Sequence, residues 1–128
     1  MDGEWQELSG LSVKISEVLY VPTLEAPAEK PHPFVYFVDI INDSSEAVTI
    51  HGRKWVVRDH DDELTILEGE GVVGQHPDIS PGDRFSYNSY HVVAGDGSAW
   101  GAFYGLTASG RQIFVSIPKF ALEVPGWV

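Results

Sequence analysis

Apolar residues recur at every second position along this chain, in runs too short for helices and separated by clusters of glycine, proline, asparagine and aspartate. That spacing is the period of a strand with one buried face, and it leaves few folds open. Leu11, Val13 and Ile15 alternate with Ser12, Lys14 and Ser16. Phe34 to Ile41 is nearly all β-branched or aromatic, the pattern of a central strand. Val48 to Ile50 and Trp55 to Val57 read as one strand, straight or bulged at Gly52, and Leu64 to Leu67 as a short one. Arg84 to Val93, Ala99 to Thr107 and Arg111 to Ile117 follow, the last two joined by a hairpin loop at Ala108-Ser109-Gly110. Phe120 to Val124 reads as one more, after Pro118 interrupts pairing. No window carries the period of about 3.6 residues of an amphipathic helix.

The connections between these runs have turn chemistry. Asn42-Asp43-Ser44-Ser45 supplies side chains that bond their own backbone, so its match to a glycosylation triplet reads as a turn. Ser80-Pro81-Gly82-Asp83 places proline at the first central position of a tight turn. Pro22 to Pro33 holds four of the eight prolines and reads as a long exposed loop suited to partner contact. Seven or eight short strands joined this way predict an all-β, antiparallel β-sandwich. With no cysteine for an immunoglobulin-type bridge, the fibronectin type III sandwich is the nearer analogue.

A chain of 128 residues suits one domain, with a core over about residues 9–125. Its four Trp, five Tyr and six Phe can fill that core without disulfides. Trp55, Phe85, Tyr87, Phe103, Tyr104 and Phe114 are the expected fillers, with Trp5 and Trp127 docking back from the termini. The absence of cysteine rules out thiolate metal sites and a thiol nucleophile. Met1 to Glu7 has no basic region and no apolar run, which predicts no signal peptide and a cytoplasmic protein. No stretch reaches the roughly 20 apolar residues of a membrane span. The net charge of −11, with eight basic residues scattered among nineteen acids, argues against nucleic acid as a partner.

The spacing G-x-G-x-x-G occurs at Gly69, Gly71 and Gly74. A dinucleotide site needs a helix to start at such a loop, and Pro77 and Pro81 forbid one here. A concavity of backbone N–H groups remains open as an anion site, with Arg53 or Lys54 supplying charge. The simpler reading is that the glycines permit a sharp turn. The acidic run Asp59-His60-Asp61-Asp62 offers oxygen ligands to a divalent cation, or else is a solvated turn. No histidine pair has zinc-site spacing and no G-x-S-x-G elbow is present, so nothing predicts an enzyme or a cofactor.

Several of these features form one ordered set. Arg53-Lys54-Trp55-Val56-Val57-Arg58-Asp59 leads to Glu68-Gly69-Glu70-Gly71-Val72-Val73-Gly74-Gln75-His76-Pro77, then Ile79-Ser80-Pro81-Gly82, Phe85-Ser86-Tyr87-Asn88-Ser89 and Ile117-Pro118-Lys119-Phe120-Ala121-Leu122. Over roughly residues 9 to 125 this resembles the ApaG domain. The resemblance implies a fibronectin type III-like sandwich and a role in protein contacts, as in eukaryotic F-box and polymerase-interacting proteins. In bacteria it implies a link to cobalt resistance and magnesium efflux. It also implies a pyrophosphate-like anion at Gly69, Gly71 and Gly74. The sequence departs from the family pattern at Tyr90-His91, where Gly and a small residue are usual, and at Trp100, where Met is common. The expected partner is therefore a protein, with a small anion as the alternative ligand, a weakly held divalent cation as a third, and a homodimer left open.

Overall fold

The structure, a computed structural model, describes residues 4–128. Met1, Asp2 and Gly3, at the head of the segment read above as no signal peptide, lie outside the described residues. In chain order the strands are β1 (Gln6–Glu7), β2 (Leu11–Tyr20), β3 (His32–Asn42), β4 (Val48–Arg58), β5 (Leu64–Glu70), β6 (Asp78–Ile79), β7 (Arg84–Val93), β8 (Gly97–Thr107) and β9 (Gln112–Leu122). The seven long strands answer the seven or eight expected, and two two-residue strands bring the total among the described residues to nine.

Two sheets form. The larger runs β1-β9-β8-β4-β5, with β6 added against β4, and the smaller runs β2-β3-β7. Every pairing is antiparallel except β1 with β9, which is parallel and departs from the expected all-antiparallel plan. Alternation along β3 turns Phe34, Tyr36, Val38 and Ile40 inward. They meet Ile50, Trp55 and Val57 of β4, Phe103 of β8, and Ile113 and Ile117 of β9 in one core. Each such side chain, fully buried, contributes about 1.5–3 kcal/mol.

The structure revises several details of the sequence reading. β9 is continuous through Pro118, where an interruption and a further strand were expected. Against β8 the register shifts so that Ala99 pairs with Phe120 and Gly101 with Ile117. Trp100 therefore opposes both Pro118 and Lys119, and a bulge of this kind leaves proline with no ladder bond to donate. The irregularity in β4 falls at His51, between Ile50 and Gly52. His32 and the fully buried Pro33 lie within β3, so the proline-rich connection is two positions shorter than its composition suggests. Tyr104 and Phe114 alternate out of phase with the buried Phe103, Ile113 and Val115, so they lie on the outer face of the larger sheet. Trp5 packs edge-on against Tyr104 at 5.4 Å. Trp127 touches Tyr20 at 5.9 Å but stays 76% exposed.

The two flanks of the sandwich differ. On one, β2 packs across onto β9. On the other, the terminal strands β5 and β7 each have one sheet neighbour, and a groove runs between their free edges. Among the described residues no helix is long and apolar enough to cross a membrane.

Candidate functional site: a groove between two strand edges

Backbone alternation decides what each edge offers. The β4–β5 ladder is bracketed by two bonds: the Asp59 N–H donates to the Glu63 carbonyl at 2.9 Å and the Gly71 N–H to the His51 carbonyl at 2.7 Å. Counting inward along the antiparallel register, Thr65, Leu67 and Gly69 turn their N–H and C=O groups toward β4. Leu64, Ile66, Glu68 and Glu70 turn theirs toward the free edge. On β7 the Asn42 N–H donates to the Asp83 carbonyl at 2.9 Å, and the same alternation leaves Ser86, Asn88 and Tyr90 facing outward from the pair.

Between these edges lies a cavity of about 530 Å³ with Tyr36, Arg53 and Trp55 among the residues beneath it. A second, of about 300 Å³, continues it toward Pro27 and Lys30 and shares Leu67, Tyr90 and His91 with the first. Both volumes fall within the range of about 300–1,000 Å³ usual for ligand sites. The proline-rich loop bounds one end: the Tyr90 hydroxyl donates to the Glu25 carbonyl at 2.9 Å, and Lys30 Nζ donates to Thr65 Oγ1 at 3.1 Å and pairs with Glu63 at 3.4 Å. Val73 of the glycine loop stands at the other end. The rim is open, and its apolar side chains Leu67 and Val73 are 46% and 50% exposed.

The floor beneath that rim is polar and incompletely bonded. His91 is 5% exposed, stacked on Tyr36 at 4.6 Å and met edge-on by Trp55 at 4.6 Å. Its Nε2 has no hydrogen-bond partner among the described residues, and neither has the buried Tyr87 hydroxyl. Burial lowers the His91 pKa to about 4, so the ring is neutral near pH 7. Burial raises Tyr36 to about 12, against opposing pulls from the Ser89 hydroxyl and the Arg53 charge. Burial raises Tyr87 as well, with Tyr36 adding to the shift. The Trp55 indole pulls weakly the other way, but its N–H does not meet the Tyr87 oxygen in hydrogen-bonding geometry.

The residues singled out in the sequence fall in three places. Arg53 faces the groove next to Trp55, and its Nη1 donates to the carbonyls of Glu70 at 2.7 Å and Gly71 at 3.1 Å. Lys54, the next residue of the same strand, points to the opposite face of the sheet, so the two cations do not converge. Gly69 pairs with Arg53, whose guanidinium occupies the space a Cβ would need at 2.7 Å. Gly71 and Gly74 have φ of +64° and +77°, and a Cβ on Gly71 would sit 2.2 Å from the Gln75 carbonyl oxygen. The N–H groups of Gly71, Val72 and Gln75 all donate to backbone carbonyls.

The acidic run lies at the β4–β5 turn. Asp59 is buried, its Oδ1 accepting from the His60 and Gly95 N–H groups at 2.8 and 3.1 Å and its Oδ2 from the Ala94 N–H at 2.8 Å. Desolvation opposes its charge, but the bonds from Ala94, His60 and Gly95 outweigh it and hold the carboxyl below its ordinary range. Asp61 accepts from the Glu63 N–H at 3.1 Å, and Asp62 takes φ of +66°. Among the described residues no three acidic or histidine side chains converge on a metal-sized point.

Sequence reading assigned Tyr87 to the core, noted His91 only as a departure from the family pattern, and did not single out Tyr36. One signal was present: His91 follows Phe85, Tyr87 and Ser89 in the inward phase of its strand, where a polar ring needs a reason.

Strand order, core and groove define a two-sheet β-sandwich domain with one open, aromatic-floored flank. The chain belongs to the ApaG domain family, whose profile matches residues 22–106. It is 33% identical over 120 residues to Protein ApaG of Methylorubrum populi, covering 93% of this chain and 92% of that one. Protein ApaG of Shewanella woodyi is 32% identical over 117 residues, covering 90% and 93%. The Bordetella pertussis protein designated ApaA in its crystal structure superposes with a TM-score of 0.82 at 28% identity, over 96% of this chain and 99% of that one.

Proposed function

We propose that this chain is a non-enzymatic protein-interaction module and that the groove between β5 and β7 is its recognition surface. The observation that carries this reading is the pairing of an apolar, half-exposed rim with buried polar atoms that lack partners, Tyr87 Oη and His91 Nε2. Unpaired buried polar atoms cost about 1–3 kcal/mol each, and a ligand that bonds to them recovers that energy. On this reading the link to cobalt resistance and magnesium efflux that family membership implies follows from the partner's role. A pyrophosphate-like anion at Gly69, Gly71 and Gly74 is the second reading. The Arg53 charge beside the loop favours it, while the loop amides already bonded within the turn weigh against it.

A photo-crosslinking residue placed at Leu67, whose side chain shares the groove-facing side of the sheet with Trp55 and is 46% exposed, tests the surface against one at Lys14 on the exposed face of β2. The expected result is a discrete protein adduct from Leu67 in the native cell that unlabelled protein competes away and that Lys14 does not give. Equal labelling at both positions, or none at Leu67, overturns the reading.

A further inference from the structure

Accepting the groove as the recognition surface, we infer that its occupant is an extended segment of a partner protein. That segment pairs as an added strand with the free edge of β5 and directs a carboxylate onto Arg53 and Tyr87.

The backbone carries the first half. Ile66 and Glu68 both line the cavity while their side chains belong to the outer face of the sheet, in register with Val56 and Lys54. What they present to the groove is therefore their outward-turned N–H and C=O groups, a row that a strand of another chain completes. Natural proteins blunt such edges with lysine, proline or a covering loop. β5 has neither lysine nor proline, and the proline-rich loop reaches only its beginning, at Glu63 and Thr65. The stretch from Ile66 to Glu68 is left uncovered, while the Glu70 carbonyl is taken by Arg53, and Leu67 and Val73 are ready to hold apolar side chains.

Charge carries the second half. Arg53 is the one cation lining the larger cavity among the described residues, and it makes no ion pair. Its Nη1 is held by two carbonyls, which orients the guanidinium and leaves its other N–H groups for a ligand. The Tyr87 hydroxyl, buried and unpartnered, is a donor in the same cavity. A guanidinium with a phenol suits a carboxylate, which accepts from both. In a strand added to β5, side chains alternate between the outer face and the groove, so one acidic residue is the expected anchor.

Pairs of short unstructured peptides rich in Val and Thr, one member carrying a Glu and the other Gln at the same place, can be titrated into isotope-labelled full-length protein and followed by NMR. The Glu peptides are expected to bind about tenfold or more tightly, and to protect the Ile66 and Glu68 amides from solvent exchange. Tyr87→Phe and Arg53→Gln should each erase the preference for Glu. Ile66→Pro should abolish binding of both peptides with the rest of the spectrum unchanged, since the Ile66 N–H points away from β4 and its loss breaks no internal bond. Because Arg53 also holds the glycine loop, Tyr87→Phe serves as the cleaner variant.

Equal affinity for Glu and Gln peptides overturns the carboxylate anchor. Binding without protection of Ile66 and Glu68 overturns strand addition. Failure of every peptide to bind overturns the proposal as a whole. In each case crosslinking at Leu67 decides separately whether the groove meets a protein at all.

Discussion

Two buried polar centres, one just beyond the C-terminal end of β4 and one over its middle at Arg53 and Trp55, are built on different terms. At the β4–β5 turn, three backbone N–H groups from two separate turns converge on the Asp59 carboxylate. Asn42 follows the same pattern at the far end of β3, fully buried, its Nδ2 donating to the carbonyls of Glu46 and Ile79 at 2.8 and 2.9 Å and its Oδ1 accepting from the Ser44 N–H at 3.0 Å. Under the groove, Tyr87 Oη and His91 Nε2 are buried and bonded to nothing among the described residues. A satisfied polar centre ties loops together and contributes to stability. An unsatisfied one lowers stability and is retained where something else supplies the partner. By that contrast the conspicuous acidic run is architecture, and the inconspicuous aromatic floor is the place for a ligand.

The contrast can be broken most forcefully at Asp59. Asp59→Ala leaves the Ala94, Gly95 and His60 N–H groups without their acceptor, and urea unfolding should show a loss of about 3–4 kcal/mol. A loss under about 0.5 kcal/mol would remove Asp59 from the structural class.

The next effect is a pH dependence with two separate windows. His91 has a folded pKa of about 4, below its ordinary 6.5, so the unfolded chain binds the extra proton between those values. Stability is therefore fully present above about pH 6.5 and falls as the pH drops toward 4. At 1.36 kcal/mol per pKa unit the loss is on the order of 3 kcal/mol. His91→Phe should flatten this window. Asp59, with its folded pKa also depressed, contributes stability above its ordinary 3.8 that is lost as the pH falls further, so its slope lies below that of His91. Chemical denaturation at stepped pH in wild type and His91→Phe separates the two, and an unchanged slope in the variant would assign the window to other groups.

The smallest expected change is the most discriminating. Tyr87→Phe removes an orphaned hydroxyl and no hydrogen bond, so stability should stay within about 0.5 kcal/mol of wild type or rise slightly. A loss above about 1.5 kcal/mol would mean that the hydroxyl is satisfied in solution and the contrast with Asp59 fails.

Much of the architecture was legible because strand alternation is a local property. Leu11–Val13–Ile15, Phe34–Ile41 and the aromatic second half each announced a strand, and the prolines after Gly74 correctly removed the helix that a dinucleotide site needs. Errors arose where one strand's behaviour depends on its neighbour. Pro118 looked like a break because nothing local shows that a bulge opposite Trp100 accommodates it. Tyr104 and Phe114 looked like core because their side of the strand is set by register. Lys54 looked equivalent to Arg53 until the pleat separated them.

What the sequence determined by itself was the all-β class and the glycine loop as a turn, which depend on residues close together along the chain, and the family, which depends on motifs that keep their order along it. Only the tertiary structure decided that β5 and β7 end their sheets, that both border one groove, and that Tyr36, Arg53, Tyr87 and His91, from three strands of two sheets, meet beneath the gap. Strand order and sheet stacking are long-range outcomes of burying apolar faces. No local pattern in the chain encodes which polar atoms that burial leaves unpaired.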